Sequence, residues 1–303
     1  MSDATASVII PVYNDVVPLR RALESVLAQS WEAHEIIVVD DGSTADVRAA
    51  LEGIRGPIRV IRQRNMGVSV ARNVGIQNSS GKYVAFLDAD DTWRCDKLEA
   101  QLRVMEAQED LGLTGCAAEY VAPSGMVAQR GKLRFEGDAF KRLLLYGNFV
   151  VTSSAVVRRA YLDAVASPWF PPGIPFAEDW ALWLRLAARF RFFISNEPMV
   201  RFALPDGPKR SLDFMKQFEL AVLRFALTDP AVSDRVYGLE TKLSRFVLLR
   251  HARRLATERG WRAAPDVLRA AMSVAAVDPK VSALALIDAI RSATLLSLKA
   301  RNE

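Results

Sequence analysis

Cysteines are few in this chain, and long uncharged hydrophobic runs are missing. Its 303 residues contain two cysteines, Cys95 and Cys116, which form no disulfide framework and favour a reducing compartment. No run of about 18 uncharged apolar residues occurs, which argues against a transmembrane helix. The first residues lack the basic and apolar segments of a signal peptide, so we expect a cytoplasmic protein. A hydrophobic content of 50% suffices for one large domain and a smaller one.

Three familiar nucleotide-binding motifs are also absent. The G-x-G-x-x-G turn of dinucleotide-binding folds would follow the first predicted strand, where the chain instead has Pro11-Val12-Tyr13-Asn14. The P-loop motif G-x-x-x-x-G-K-[ST] does not occur. Nor is there the glycine-rich loop with an Arg that a sugar-phosphate nucleotidyltransferase needs. A nucleotide would therefore be bound by other groups.

Over its first hundred residues the sequence alternates between strand and helix patterns. Apolar runs predict strands at 7–12, 35–40, 58–61 and 83–87, and helical patterns follow Asp15 and occupy 44–55, 67–78 and 94–109. Asp15 is a candidate N-cap for the first helix. This alternation at intervals of about 25 residues indicates an α/β fold with a doubly wound, mostly parallel sheet flanked by helices. Ligands of such sheets bind beyond the carboxyl ends of the strands.

Two carboxylates follow the predicted strand that ends at Leu87. Asp88 and Asp90 are separated by Ala89, and strand alternation would point side chains i and i+2 to the same face. Hard oxygen ligands in small number suit Mg²⁺ or Mn²⁺, which share the phosphates of a substrate. An isolated D-x-D sequence is more often a solvated acidic turn, but here the neighbouring predicted strands also end in polar residues. That convergence predicts an active site at this edge of the sheet.

The other strand ends carry groups that suit a nucleoside diphosphate held through a metal. Tyr13 is placed to lie against a base, and Asp40 or Asp41 to accept a hydrogen bond from a ribose hydroxyl or a base N–H. Arg72 is a candidate for contacts with phosphate oxygens. Each has a structural alternative, namely packing for Tyr13, a turn at Asp41-Gly42 and solvation on a helix surface for Arg72.

Several segments occur together in a recognisable order. They are Ser7 to Asn14 (SVIIPVYN), Ile36 to Thr44 (IIVVDDGST), Asn65 to Gly67 (NMG), Ala71 to Asn73 (ARN), Tyr83 to Asp91 (YVAFLDADD), Glu178 to Trp180 (EDW) and Leu182 to Arg185 (LWLR). With them the chain resembles the family 2 glycosyltransferases of the GT-A fold over roughly its first 205 residues. The resemblance implies a GT-A domain at 1–205, followed by a separate C-terminal region at 206–303.

The resemblance also implies an inverting transferase with Mg²⁺ or Mn²⁺ as cofactor and a nucleotide-diphospho-sugar, expected to be a UDP-sugar, as donor. Asp179 falls at the position of the catalytic base, and Asp90 at that of the direct metal ligand. Asp41 is then the carboxylate that recognises the base, and Asp88 lies nearer the ribose or a bound water. The full donor set is Pro11, Tyr13, Asp40, Asp41, Arg72, Asp88 and Ala89, with Glu178 and Trp180 on the acceptor side.

Part of the argument for Asp179 comes from the residues themselves. The sequence Pro171-Pro172-Gly173-Ile174-Pro175 predicts a loop, and the apolar spacing after Asp179 predicts a helix. Glu178 and Asp179 therefore lie at a helix N-terminus, where the dipole favours the ionised form. Inverting transfer needs a carboxylate that takes the proton of the acceptor hydroxyl, although acidic residues in a first turn more often only cap the helix.

One histidine of the family pattern is missing. Many family members have a His shortly after a Tyr-Arg pair, where it can complete the metal site, whereas residues 199–204 of this chain read Met-Val-Arg-Phe-Ala-Leu. Of the two histidines present, His34 is expected at a surface turn and His251 within a helix of the tail. The metal would then depend on Asp90, the diphosphate and water, or on another ligand such as Asp206.

The C-terminal region is basic, since residues 206–303 contain 17 Lys and Arg against 11 Asp and Glu. Helices are predicted there at 211–228, 231–258, 263–275 and 280–300. Such helices favour peripheral association with anionic lipid at the inner face of the plasma membrane. The alternatives are a helical subdomain with a solvated basic face and a homodimer contact. The basic residues lack interleaved aromatics and a binding motif, which argues against nucleic acid as a partner.

Two functions remain open at this point. The first is a transferase that builds bacterial surface polysaccharide or a similar glycan on a glycan or lipid-linked acceptor. The second is an inactive relative that binds a nucleotide sugar and serves as scaffold or partner of another transferase, which the missing His allows. The presence of Arg72, Asp88, Asp90 and Asp179 favours the first.

Overall fold

The structure is a computed structural model that describes residues 4–130, 133–165, 167–174, 176–205 and 212–236. The strands are β1 Ala6–Val12, β2 Glu35–Asp40, β3 Ile58–Arg62, β4 Tyr83–Phe86, β5 Thr92–Trp93, β6 Leu111–Val121, β7 Val127–Arg130, β8 Phe135–Gly137, β9 Val156–Arg158 and β10 Arg191–Ala203. The helices are α1 Val16–Leu27, α2 Val68–Gln77, α3 Lys97–Ala107, α4 Phe140–Tyr146, α5 Arg159–Asp163, α6 Glu178–Ala187, α7 Leu212–Thr228 and α8 Ser233–Val236. Short 3-10 helices occupy Val47–Leu51 and Thr152–Ser154.

The chain divides into two compact units, residues 1–140 with 148–208 and residues 141–147 with 209–303. The first unit contains every described strand and helices α1, α2, α3, α5 and α6. The second contains α7, which matches the helix predicted at 211–228, and α8. The helices predicted at 263–275 and 280–300, and nearly all of that at 231–258, lie outside the described residues. The predicted domain boundary after residue 205 stays a prediction.

The described strands form one sheet in the order β3-β2-β1-β4-β9-β6-β10-β5, with β7 paired to β6 and β8 paired to β10. The ladders β1–β2, β1–β4, β2–β3 and β6–β10 are parallel and account for most of the paired residues. Strand β9 runs antiparallel to both β4 and β6, so β6 and β10 point the same way as β1 and β4. The carboxyl ends of these strands therefore lie along one edge, as the predicted α/β fold requires.

Both faces of the sheet are covered, which explains the continuous apolar runs of its central strands. On one face Val8 and Ile10 pack in a large cluster with residues of α1 and α3, including Leu23 and Leu102. On the other face Ile37 and Val39 pack with Ala71 of α2. All seven residues of β1 are buried, because the strand lies inside the sheet with layers on both sides.

Some local expectations differ from the structure. The helix predicted at 44–55 is only the 3-10 helix Val47–Leu51. Asp15 occupies the N-cap position of α1, but its side chain makes no capping hydrogen bond, so the predicted cap is wrong. Its backbone carbonyl instead accepts a hydrogen bond from the Leu19 amide. Among the described helices, none is long and apolar enough to cross a membrane.

Candidate active site

The carboxyl end of β2 carries two buried aspartates that organise the following loops. Asp41 accepts hydrogen bonds from the Gln63 side chain at 2.7 Å and from the backbone amides of Met66 and Gly67 at 2.8 Å each. Asp40 accepts from Arg62 at 2.7 Å and from the Ser43 amide at 2.8 Å. The carboxylate oxygens of both aspartates thus accept hydrogen bonds from residues of the loops 42–43 and 63–67. These hydrogen bonds hold the two loops at the edge of the sheet. Their contact with a nucleoside stays a prediction.

Gly42 permits this arrangement. Its φ is +79°, in the left-handed region that favours glycine. A Cβ at this position would lie 2.6 Å from the backbone nitrogen of Asn65, so any side chain would push the two loops apart. The left-handed Gly42 agrees with the turn alternative for Asp41-Gly42, and the role of Asp41 in nucleoside recognition stays a prediction.

At the end of β1 the Tyr13 side chain is 47% exposed, which leaves the ring available for stacking at the sheet edge. The next residue, Asn14, has a φ of 64°. Its side-chain oxygen accepts from the amides of Thr44 and Ala45, at 2.8 and 3.2 Å. Pro11 lies within β1 opposite Val39 and is buried, so it shapes the edge from within the strand.

Strand β4 ends at Phe86, earlier than the sequence predicts. Asp88, Ala89 and Asp90 lie in the turn beyond it, so the argument from strand alternation does not apply to the two carboxylates and is wrong for this pair. Asp88 accepts a hydrogen bond from Arg72 at 2.6 Å, whereas Asp90 is exposed and lines a neighbouring cavity. The pKa of Asp90 is raised, first by desolvation and second by the charge of Asp88. The two carboxylates are therefore close enough to interact electrostatically.

Arg72 on α2 lies in the interior, 4% exposed, and not on the helix surface. Its Nη1 donates to Glu178 at 2.7 Å, and its Nη2 donates to Asp88. The guanidinium also lies 5.3 Å from the centre of the Phe170 ring. Burial opposes its ionisation, but the charges of Asp88 and Glu178 outweigh burial and raise its pKa. The residue predicted to bind phosphate thus bridges two carboxylates that belong to the ends of β4 and α6.

Helix α6 begins at Glu178, as predicted, and its first two residues differ in environment. Glu178 is 5% exposed and paired with Arg72, whereas Asp179 is partly exposed. Asp179 Oδ2 accepts from Asn148 at 2.9 Å and from Thr152 at 2.8 Å. Burial, and after it the charge of Glu178, raises the pKa of Asp179 to about 6. The helix dipole favours ionisation here, as expected from the sequence, but desolvation is the larger effect on the Asp179 pKa.

Trp180, the other residue predicted on the acceptor side, is 8% exposed and offers little surface to a substrate. Trp183, one turn further along α6, is completely buried and packs against Phe86 and Phe170. The acceptor-side assignments of Glu178 and Trp180 stay predictions.

Several residues that complete the site were given no role from the sequence. Asn148 and Thr152 come from the segment 110–175, in which no motif was recognised. Asp91 is 1% exposed and accepts hydrogen bonds from the Ser153 hydroxyl and from the Ala203 amide at 2.8 Å. Burial and the charge of Asp88 raise the pKa of Asp91 to about 8. Asp91 thereby connects the turn after β4 to the end of β10.

No group of three or more His, Cys, Asp or Glu side chains in the described part of the chain is arranged to hold a metal ion. His34 precedes β2 and so lies at the opposite edge of the sheet from Asp90. His251 and Asp206, the alternative ligand considered from the sequence, lie outside the described residues. An ion at Asp90 would therefore take most of its ligands from a substrate and water.

Comparison with known proteins agrees with this architecture. The family model described as "Glycosyl transferase family 2" matches residues 7–165. An uncharacterized glycosyltransferase of Rickettsia bellii is 32% identical over 192 residues, which are 62% of this chain and 27% of that protein. A second relative is TuaG of Bacillus subtilis, which is named as a teichuronic acid biosynthesis glycosyltransferase. It is 33% identical over 204 residues, which are 65% of this chain and 78% of that protein. The chain thus spans only about a quarter of the Rickettsia bellii relative.

Among solved structures, the crystal structure of residues 1–349 of TarS from S. aureus in complex with UDP superposes with a TM-score of 0.67. The match covers 98% of this chain and 91% of that chain at 18% sequence identity. TarS has also been crystallised with UDP-GlcNAc. At this level of identity the likeness concerns the fold, which is of the GT-A type.

Proposed function

The chain belongs to glycosyl transferase family 2, and from this premise we propose that it transfers a sugar from a nucleotide-diphospho-sugar to an acceptor hydroxyl with inversion at the anomeric carbon. One observation carries the proposal. A partly exposed carboxylate with a pKa of about 6, Asp179, adjoins Glu178, which is joined through the buried Arg72 to Asp88 in the turn after β4. Perturbed carboxylates in such a setting are typical of catalytic bases.

Asp179 is suited to take a proton. At neutral pH a carboxyl group with a pKa of about 6 is mostly ionised, yet more basic than an ordinary carboxylate. Asn148 and Thr152 hold one of its oxygens in place. In the proposed step Asp179 removes the acceptor's hydroxyl proton while the acceptor oxygen forms a bond to the anomeric carbon. The bond from that carbon to the diphosphate oxygen breaks on the opposite side, which inverts the configuration.

Glu178 is the less suitable base, although it adjoins Asp179 in the sequence. It is buried, and its Oε1 is held by Arg72 at 2.7 Å. Its Oε2 has no hydrogen-bond partner among the described residues, but that atom is buried and a substrate hydroxyl does not reach it in this conformation. We therefore assign proton transfer to Asp179 and an indirect role to Glu178.

We propose a UDP-sugar as the donor. TarS, which shares the fold, binds UDP in its crystal structure. In this chain the exposed ring of Tyr13 and the loops fastened by Asp40 and Asp41 lie at the end of the sheet where a nucleoside would stack. The names of relatives such as TuaG suggest a bacterial surface polysaccharide as the product, with a glycan or a lipid-linked glycan as acceptor.

The residues near Asp90 fit a divalent cation. No hydrogen bond or ion pair joins the Asp90 side chain to another described residue, which leaves its oxygens available to an ion, and the charges of Asp88 and Asp15 act on it. Asp90, and Asp88 through water, would hold Mg²⁺ or Mn²⁺. When bound, the ion supplies charge neutralisation for the departing diphosphate.

The proposed function is tested by incubating the purified full chain with a panel of nucleotide sugars and Mn²⁺ and by following donor hydrolysis and transfer to glycan acceptors. We expect turnover of a UDP-sugar, loss of turnover on chelation of the metal, and loss of metal-dependent UDP affinity in Asp90→Asn. UDP binding without turnover of any donor would support the inactive scaffold instead. Absence of nucleotide binding would contradict both functions.

A further inference from the structure

A cavity of about 290 Å³ is lined in part by Asp90. Arg21 of α1, Thr92 of β5 and Arg201 of β10 line it together with Asp90. Its remaining wall is formed mainly by apolar residues at the ends of β6 and β10, such as Val121 and Leu204. The cavity lies entirely within the first compact unit and at the edge of the sheet where the donor is proposed to bind.

The guanidinium groups of the two arginines in this cavity are not neutralised by close carboxylates in the described part of the chain. Arg21 makes no hydrogen bond or ion pair with any residue in the described ranges. Arg201 has Glu119 as a partner, but at 3.7 Å and with its side chain 58% exposed, which makes the pair long and weak. Arg72, by contrast, is buried, and both of its terminal nitrogens already donate to carboxylates, at 2.6 and 2.7 Å. A phosphate would have to break those contacts to recruit Arg72.

The size and composition of the cavity narrow the ligand class. Its volume lies at the lower end of ligand pockets, which begin at about 300 Å³, so it suits a small group and not a whole nucleotide sugar. Two guanidinium groups favour a phosphate-type oxyanion, because Arg offers forked N–H donors that match its oxygens. Asp90, which lines the same cavity, suits a divalent cation bound to that oxyanion.

We propose that Arg21 and Arg201 bind a diphosphate in this cavity, next to Asp90, and so perform the phosphate contact that the sequence assigned to Arg72. The inference rests on the proposed function in taking the diphosphate to be that of the nucleotide-sugar donor. A diphosphate that links a lipid to the acceptor has the same chemistry and is distinguished by the experiment.

The experiment compares the full chain with Arg21→Gln, Arg201→Gln and the double variant by calorimetry with UDP, uridine and inorganic diphosphate. We expect each single variant to bind UDP about 10-fold more weakly, since a hydrogen bond to a charged group is lost. Uridine affinity is expected to stay unchanged because it lacks phosphate, and Arg201→Lys is expected to keep part of the affinity. Arg20→Gln is the matched control, since Arg20 lies on the same helix but contacts Glu24 and the Glu52 carbonyl.

The outcomes distinguish the diphosphate of the donor from that of a lipid-linked acceptor. They also distinguish failure of the cavity assignment from failure of the proposed function. Unchanged UDP affinity with a raised KM for a lipid-diphosphate acceptor in the double variant would place the acceptor's diphosphate in the cavity. Unchanged affinity for UDP and inorganic diphosphate together with an unchanged acceptor KM would overturn the inference. Failure of the unaltered chain to bind UDP would refute the proposed function, whereas loss of inorganic diphosphate binding in the double variant would still support the cavity assignment.

Discussion

At the scale of single residues, Glu178 and Asp179 show how adjacent carboxylates acquire different properties. Successive side chains on a helix point about 100° apart, so the first turn of α6 directs Glu178 into the interior towards Arg72 and leaves Asp179 at the surface of the site. The buried charge of Glu178 then helps to raise the pKa of Asp179. One residue forms a structural ion pair, and its neighbour becomes a stronger base.

Asp179→Asn tests this division of roles. Removal of the base is expected to lower kcat by about 10²–10⁴-fold while UDP affinity stays unchanged, because Asn keeps the shape but takes no proton. In the unaltered protein kcat/KM is expected to be constant above the pKa of about 6 and to fall as the pH decreases through it, because protonated Asp179 cannot act as a base. The measurements are steady-state kinetics across pH and calorimetry.

Glu178→Gln is the matched control at the adjacent position. It is expected to retain measurable transfer and to move the acidic limb of the pH profile to lower pH, because the charge that raises the Asp179 pKa is removed. If Glu178→Gln were inactive and Asp179→Asn active, Glu178 would be the base. Near-normal activity of both variants would exclude this helix start from the mechanism.

At the scale of secondary-structure elements, α3 begins with a buried basic residue. Lys97 is completely buried and its Nζ lies 4.0 Å from the centre of the Trp93 ring. In the described ranges, Nζ has no hydrogen-bond partner, and burial lowers the pKa of Lys97 to about 8. The start of α3 thus packs against Trp93 of β5 through a buried ammonium group. The contact with the aromatic face offsets only part of the free-energy cost of removing this charge from water.

Lys97→Met is expected to raise the free energy of unfolding at pH 7 by about 1 kcal/mol, because an unpaired buried charge is replaced by an apolar side chain of similar length. The lowered pKa of Lys97 means that the folded protein binds fewer protons than the unfolded chain between about pH 8 and its ordinary value of 10.5. The unaltered protein therefore gains stability as the pH rises through that range, and the advantage of the variant shrinks.

Urea unfolding at pH 7 and pH 10 measures both effects. Arg103→Met on the same helix is the control, since Arg103 is 71% exposed and paired only with Glu99; it is expected to change stability by less than about 0.5 kcal/mol. A destabilised Lys97→Met variant at pH 7 would show that the contact with Trp93 outweighs the desolvation of the ammonium group.

At the scale of the whole molecule, charge is distributed unevenly. The chain carries a net charge of +5, and residues 206–303 account for all of its excess of positive charge. Most of this region lies outside the described residues, so the peripheral membrane association and the homodimer contact both stay predictions from the sequence. A basic region in the same chain as a transferase domain would concentrate the protein where an acceptor is anchored in anionic lipid.

Vesicle sedimentation tests the membrane prediction. Binding of the full chain is expected to increase with the fraction of acidic lipid and to decrease at about 1 M salt, where the Debye length falls to about 3 Å. A chain ending at residue 236, the last described residue, is expected to bind less, because it lacks most of the basic tail. Absent or salt-insensitive vesicle binding would contradict the membrane prediction and favour a structural role for the tail. A dimer in analytical ultracentrifugation would support the homodimer contact.

The sequence by itself determined the α/β alternation, the edge at which polar residues gather and the family. Buried parallel strands require continuous apolar runs, so β1 and β2 and the aspartates that follow them are visible along the chain. The start of α6 at Glu178 is visible for a similar local reason, since a proline-rich loop precedes an amphipathic pattern. The ends of the strands were predicted less exactly than their positions. Strand β4 ends at Phe86, because its pairing with neighbouring strands, and not the length of the apolar run, determines where it ends.

Only the tertiary structure decided what each polar group of the site does. Arg72 and Glu178 are 106 residues apart in the sequence, and the cavity that joins Arg21 to Arg201 spans a still longer interval. Contacts at such separations leave no periodic pattern. The Asp179 pKa likewise depends on burial first, and also on the approach of Arg72 and Thr152, because desolvation is a property of the packed surroundings and not of the residue type.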